Sequence, residues 1–100
     1  MTTQIMTLLT RGVSERVADD ADFAKFVTDS LTRFHANDWG TVCAEDATAN
    51  DEAIESLQNG GWYGRVLASY RFVHVPIWIT RNTAMEDGTQ AITVMFPEEY

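Results

Sequence analysis

The spacing of apolar residues changes at Arg65, and this change restricts the fold more than any other feature of the sequence. Before Arg65, apolar residues recur every three or four positions, as on one face of a helix. After Arg65 they recur at every second position, as in strands that bury one face. Helices followed by a run of strands are typical of an α+β domain, in which helices cover one face of an antiparallel sheet.

Two helices are predicted before Arg65. The first spans residues 21–36, follows the candidate N-cap acids of residues 19–22, and has an apolar face made of Phe23, Phe26, Val27, Leu31 and Phe34. On its other side, residues four apart can pair as Lys25–Asp29 and Asp29–Arg33. The second helix spans Ala44–Gln58 and ends at the stop signal Asn59-Gly60-Gly61. Its narrow buried side is made of Ala47, Asn50, Ile54 and Leu57.

The remaining segments are predicted to form strands and turns. Three strands after Arg65 span residues 66–73, 75–80 and 89–96, with a hairpin turn at Glu86-Asp87-Gly88. Near the N-terminus, residues 4–9 favour an edge strand, and residues 13–17 favour a short helical turn. We therefore predict a single domain over residues 1–100 of the α+β class. In it, two helices pack on one face of a small antiparallel sheet, a three-strand C-terminal meander extended by the N-terminal edge strand.

Composition excludes several classes of protein. Hydrophobic residues make up 45% of the chain, which is enough for a core and argues against disorder. No apolar run reaches the ~18 residues of a membrane span, and residues 1–4 lack the pattern of a signal peptide, so we expect a cytoplasmic protein. The single cysteine, Cys43, excludes an internal disulfide. A pI near 4.4 disfavours direct binding to nucleic acid.

Most of the net charge of −8 lies in one stretch, residues 37–61. It holds six of the fifteen acids and none of the seven bases, whereas the other nine acids accompany all seven bases. The six are Asp38, Glu45, Asp46, Asp51, Glu52 and Glu55. Such a stretch fits either a solvated helix face or a surface that binds a basic partner.

No pattern in the chain indicates catalysis, a metal ion or a cofactor. His35, Asp38 and Cys43 are close in sequence, but the many nearby carboxylates disfavour the thiolate that cysteine chemistry needs. Gly60-Gly61-Trp62-Tyr63-Gly64 follows a helix and precedes a strand, the reverse of the order in phosphate-binding loops. We therefore expect a protein that is not an enzyme.

The three tryptophans are expected in different settings. Trp78 lies between two isoleucines of a strand and is predicted to be in the core. Trp39, before Gly40, is predicted to pin its loop to the core. The pair Trp62-Tyr63, flanked by glycines, fits an exposed contact for a partner as well as it fits a structural role.

Residues 33–100 resemble a family of small proteins carried by plasmids and phages. The matching segments are Arg33-Phe34-His35, Asn37-Asp38-Trp39-Gly40, Glu45-Asp46, Asn50-Asp51-Glu52, Arg65-Val66-Leu67-Ala68-Ser69-Tyr70, Ile77-Trp78-Ile79-Thr80 and Phe96-Pro97-Glu98-Glu99-Tyr100. The chain departs from the family after Thr80 and by the extra Phe34 between Arg33 and His35. The resemblance implies a mobile-element context, in which small acidic proteins often inhibit bacterial defence.

These observations lead to one hypothesis and one alternative. The hypothesis is an inhibitor that binds the basic DNA-binding surface of a CRISPR-Cas effector or restriction enzyme in the bacterial host. We expect it to bind neither nucleic acid nor membranes directly. Its predicted contacts are Glu45, Asp46, Asp51, Glu52 and Glu55, with Glu86, Asp87, Glu98, Glu99, Trp62 and Tyr63 in support. The alternative is a non-catalytic accessory or adaptor domain without mimicry, which uses its sheet edge or the Trp62-Tyr63 loop. Both a monomer and a homodimer fit the sequence.

Overall fold

The computed structural model describes residues 5–59, 65–83 and 90–100. Its elements follow one another as β1 (Ile5–Leu9), α1 (Arg11–Asp19), α2 (Ala21–His35), α3 (Ala44–Gln58), β2 (Val66–Phe72), β3 (Val75–Thr83) and β4 (Gln90–Met95). A short 3-10 turn, Pro97–Glu99, follows β4. The predicted hairpin turn at Glu86-Asp87-Gly88, the stop signal Gly60-Gly61 and the pair Trp62-Tyr63 all lie outside the described residues.

The described strands form one sheet in the order β1-β4-β3-β2. β3 is antiparallel to both β2 and β4, which confirms the predicted meander and the α+β class. β1 is an edge strand but runs parallel to β4, with Thr7 level with Ile92, so the sheet is mixed and the purely antiparallel prediction was wrong. β1 and β2 therefore point the same way, and the helices between them supply the crossover that such an arrangement needs.

The described residues contain three α-helices, where two were predicted. The additional helix is α1, which extends the turn predicted over residues 13–17 to nine residues. Val13 is fully buried, and Val17 packs against the core one turn later, so α1 has an apolar stripe of its own. Asp20 ends α1 and caps α2, because its carboxylate accepts a hydrogen bond from the Phe23 N–H at 3.1 Å.

The core lies between the helices and one face of the sheet. Alternate strand residues supply the sheet side: Val66, Ala68, Tyr70, Ile77, Ile79, Ile92 and Val94. The helices and the loop after α2 supply the other side: Val13, Phe23, Val27, Phe34, Trp39 and Ile54. Removal of such side chains from water stabilises a fold by roughly 1.5–3 kcal/mol each, which makes this layer the main source of stability.

Trp78 is outside this core, and its predicted core position was wrong. Ile77 and Ile79 both point to the helices, and successive strand residues point to opposite faces, so Trp78 must point away. Trp78 is half-buried on the other face, where its ring meets that of Tyr100 with centroids 5.5 Å apart. The Arg65 guanidinium lies 4.4 Å from the Tyr100 ring centroid and extends this stack.

Candidate functional site

α3 carries most of the carboxylates of the acidic stretch and spans the residues predicted for it. Cys43 precedes the helix in an extended conformation, and Glu45 and Asp46 occupy its first turn. The unpaired N–H groups there favour negative charge, so the two acids stabilise the start of the helix. The buried residues of α3 are Asn50 and Ile54, and most of its circumference therefore faces solvent.

Three exposed glutamates, Glu45, Glu52 and Glu55, form what we call the acidic face. At about 100° per residue they fall within about 80° of one another, on the side of α3 opposite to Asn50 and Ile54. α3 contains no Lys or Arg, and none of the ion pairs among the described residues includes these carboxylates. The acidic face thus presents three negative charges that no neighbouring cation neutralises within that part of the chain.

Asp51 lies at the flank of the acidic face and already has a partner within the protein. Its Oδ1 accepts a hydrogen bond of 2.9 Å from the indole Nε1 of Trp39. Trp39 is buried and packs edge-on against Phe34, with ring centroids 5.4 Å apart, so its predicted role in pinning the loop is confirmed. Asp51 orients this tryptophan, a function that its position in an acidic stretch did not reveal.

Asp46 is separated from the acidic face and lies on the other flank of α3. It lines an open cleft of about 240 Å³ together with Ala49, Asn50, Arg65 and Leu67. Arg65 lines the same cleft, but its guanidinium lies over the Tyr100 ring and forms no ion pair with Asp46 among the described residues. At about 100° per residue, Asp46 lies about 100° from Glu45 around the helix axis, on the side away from Glu52 and Glu55.

The buried side-chain amide of Asn50 fastens α3 to the outer edge of β2. Its Nδ2 donates to the Leu67 carbonyl at 2.8 Å, and its Oδ1 accepts from the Leu67 N–H at 3.3 Å. The amide thus takes the place of a neighbouring strand and covers an edge that would otherwise be free. This bond and the burial of Ile54 fix the orientation of α3, and with it that of the acidic face.

The loop between α2 and α3 covers the next part of the same edge. The Thr41 N–H donates to the Ser69 carbonyl at 2.7 Å, and the Ser69 N–H donates to the Trp39 carbonyl at 3.2 Å. Between them, Gly40 has a φ of +74°. A Cβ built on Gly40 would lie 1.9 Å from the Ser69 carbonyl oxygen, so a larger residue does not fit here.

Arg33 holds Asp38 in this loop through two hydrogen bonds, Nε to Oδ2 at 2.8 Å and Nη2 to Oδ1 at 3.2 Å. The predicted Asp29–Arg33 pair was therefore wrong, because Arg33 pairs with Asp38. The predicted Lys25–Asp29 pair is confirmed at 3.1 Å. The bond from Arg33 lowers the pKa of Asp38, and the Gly40 N–H adds to this effect. Asp38 is thus a structural carboxylate of the acidic stretch.

The two acids near the C-terminus have different settings. Glu98 and Glu99 are both exposed, but Glu99 accepts hydrogen bonds from the Thr10 hydroxyl at 2.6 Å, the Gly12 N–H at 3.0 Å and the Phe96 N–H at 3.1 Å. Glu99 thereby caps α1, where the Thr10 side chain makes no cap bond of its own. Burial raises the pKa of Glu99, but the three hydrogen bonds outweigh it and hold the pKa below its ordinary value.

The other candidate residues show no arrangement for chemistry. Cys43 is an exposed free thiol, and His35 is exposed at the end of α2 beside the Phe34 ring. Across residues 5–59, 65–83 and 90–100, no group of three His, Cys, Asp or Glu side chains is placed to hold a metal ion. The proposed contacts Glu86, Asp87, Trp62 and Tyr63 lie outside the described residues.

Comparison with known proteins found no relative of this chain. No protein-family model, no curated protein and no solved structure matches this chain. Within the described residues, none of the helices is both long enough and apolar enough to cross a bilayer.

Proposed function

We propose that this protein is a non-catalytic inhibitor that binds the basic DNA-binding surface of a bacterial defence complex and blocks DNA recognition. The observation that carries the proposal is the acidic face, where Glu45, Glu52 and Glu55 are exposed without cationic neighbours among the described residues. The resemblance to plasmid- and phage-borne proteins supports a defence complex as the target, with a CRISPR-Cas effector first and a restriction enzyme second.

Spacing supports carboxylates standing in for phosphates. Helix residues three or four apart have Cβ atoms about 5–6 Å apart, a separation comparable to that of neighbouring phosphates on one strand. Glu52 and Glu55 have this spacing, and Glu45 lies two turns before Glu52. Arg and Lys side chains that line a DNA channel would form charge-assisted hydrogen bonds with such a row.

Rigidity supports the same proposal. A row of carboxylates on a mobile segment would lose backbone entropy on binding, whereas a row on an anchored helix loses less. Asn50 anchors the buried side of α3 to Leu67, and Asp51 anchors its flank to Trp39. The acidic face is thus presented from a helix held at two points.

The test is a DNA-binding competition with a matched charge control. The protein is first pulled down with a panel of purified CRISPR effectors and restriction enzymes, and each bound complex is then titrated with its target DNA. The variant E52Q/E55Q removes two charges from the acidic face, and D19N/D22N removes two from exposed positions at the junction of α1 and α2. We expect E52Q/E55Q to weaken inhibition roughly tenfold or more, and D19N/D22N to retain it.

Other outcomes would contradict the proposal in defined ways. Equal loss in both variants would mean that net charge acts without a specific face. Inhibition that is unchanged in E52Q/E55Q, or that survives high salt, would favour an adaptor with an apolar interface, because salt screens exposed charges. A complex that still admits DNA would place inhibition at a later step.

A further inference from the structure

The two edges of the sheet differ in how they are covered. At the β2 edge, Asn50 bonds to Leu67, and the loop after α2 bonds to Ser69. At the β1 edge, none of the hydrogen bonds among the described residues engages the outer side of the strand, and β4 is its sheet partner. Within residues 5–59, 65–83 and 90–100, the protein thus covers the β2 edge and leaves the outer side of β1 without a hydrogen-bond partner.

β1 also exposes an unusual amount of apolar surface. Ile5 is 46% exposed, Met6 38%, Leu8 45% and Leu9 39%. Free edge strands in natural proteins normally carry a Lys, a Pro or a bulge that blocks pairing with another chain. β1 has none of these, because its sequence is Ile-Met-Thr-Leu-Leu and it pairs in unbroken register with β4.

The hydrogen-bond pattern identifies which backbone groups of β1 are free. The Thr10 N–H donates to the Val94 carbonyl at 3.0 Å, which places the even-numbered residues on the β4 side of the ladder. In a parallel pair, alternate residues turn their N–H and C=O groups to opposite sides. Ile5, Thr7 and Leu9 therefore present their N–H and C=O groups outward.

We propose that β1 pairs antiparallel with β1 of a second copy of this chain, about a two-fold axis at Thr7, so that the two sheets join into one of eight strands. The inference goes beyond the proposed function and does not depend on it. In this register Thr7 faces Thr7 of the other copy, Ile5 faces Leu9, and Met6 faces Leu8. Every outward backbone group then has a partner, and each exposed apolar side chain meets another.

Charge favours a second copy over a different occupant. The chain has a net charge of −8, so most of its surface repels another copy. β1 is free of charged residues. Beyond its end, Arg11 and Glu15 are paired with each other at 3.1 Å, and the Glu99 carboxylate accepts a hydrogen bond from Thr10. Self-association through β1 therefore pairs two uncharged strands. It also keeps the acidic faces of the two copies away from the contact, because α3 packs beside β2 at the far edge of the sheet.

The contact between two β1 strands is small. A five-residue ladder with four partly exposed apolar side chains involves far fewer residues than the roughly 20–30 per side of a standard interface. We therefore expect a reversible dimer that dissociates in the micromolar range, with a mass that depends on concentration.

The first test uses sedimentation equilibrium on the full chain at concentrations from about 1 µM to several hundred µM. The mass should rise from 11.2 kDa towards twice that value. Thr7→Pro removes an outward N–H and leaves the β4 ladder intact, whereas Thr7→Val keeps the N–H. T7P should weaken dimerisation at least tenfold and T7V should not. A wild-type mass that stays at 11.2 kDa, or equal dimerisation of T7P and T7V, would overturn the proposal.

The second test checks the register and does not rely on proline. In the C43S background, Thr7→Cys places two thiols across the axis, with Cα atoms about 5.5 Å apart, within disulfide range. Ile5→Cys places them more than about 13 Å apart, out of range. In a glutathione redox buffer, T7C should form a covalent dimer and I5C should remain a monomer. Equal cross-linking of both variants, or of neither, would contradict antiparallel pairing about Thr7. Pairing of β1 with a different segment is one arrangement that would give such a result.

Discussion

The side-chain amide of Asn50 pairs with both backbone groups of Leu67, at 2.8 Å and 3.3 Å, and so acts as one residue of a missing strand. We predict that Asn50→Ala lowers the free energy of unfolding by about 2–4 kcal/mol, because it leaves a donor and an acceptor of Leu67 without partners. Urea unfolding measures the change. Thr48→Ala, at an exposed position of the same helix, is the control and should change stability by less than about 0.5 kcal/mol.

Gly40 is predicted to be the least replaceable residue of the loop after α2. Gly40→Ala places a Cβ 1.9 Å from the Ser69 carbonyl oxygen at a φ of +74°, so the loop must leave the β2 edge. We expect a loss of more than about 3 kcal/mol, or a chain that does not fold. Asn37 also has a positive φ, of 62°, and Asn37→Gly should be neutral or stabilising by up to about 1 kcal/mol. Thermal unfolding of the two variants is the measurement. A large loss for Gly40→Ala with little change for Asn37→Gly would show that the loop is intolerant of substitution at Gly40 in particular.

Glu99 is predicted to make stability depend on acid pH. Its folded-state pKa is below the ordinary value of 4.5, so its contribution is present above that pH and is lost as pH falls through the folded pKa. Glu99→Gln should therefore be less stable than the wild type at pH 7, and the difference should shrink below pH 4.5. Glu98→Gln, at the exposed neighbour, should follow the wild type at every pH. Unfolding in urea from pH 7 to pH 3 is the measurement, and an equal effect of both variants would contradict the capping role.

Asp51 is predicted to affect folding, whereas Glu52 beside it is not. Asp51→Ala removes the acceptor for the buried Trp39 indole and should cost about 1–2 kcal/mol. It should also shift the Trp39 Nε1–H resonance, because that proton loses its acceptor at 2.9 Å. Glu52→Ala should leave both the stability and the resonance unchanged. Mutagenesis of the acidic face must therefore omit Asp51, since its loss would confuse unfolding with loss of binding.

Local patterns predicted much of the fold. α2 and α3 were found within about one residue, because apolar spacing and the following loop residues mark their limits. The meander was found because a period of two is visible within each strand. The same alternation, applied to Trp78 between Ile77 and Ile79, would have placed this tryptophan on the opposite face. Its large apolar side chain had instead suggested the core.

What the sequence did not reveal depends on residues distant along the chain. The direction of β1 is set by β4, some 85 positions later, and Glu99 caps a helix 89 positions away from it. Exposure of Glu45, Glu52 and Glu55 followed from helical period alone, so that part of the candidate site was predictable. The internal partners of Asp38, Asp51 and Glu99 were not, because a carboxylate in an acidic run looks the same whether it faces water or a buried N–H.

The parallel pairing of β1 with β4 also has a consequence for synthesis on the ribosome. β1 is made about 85 residues before β4, the strand with which it pairs. At about 5–20 residues per second, an apolar five-residue strand waits on the order of seconds without its neighbour. The pairing of β1 can be completed only after β4 has left the ribosome, and until then nascent chains on one messenger expose the same apolar strand to one another.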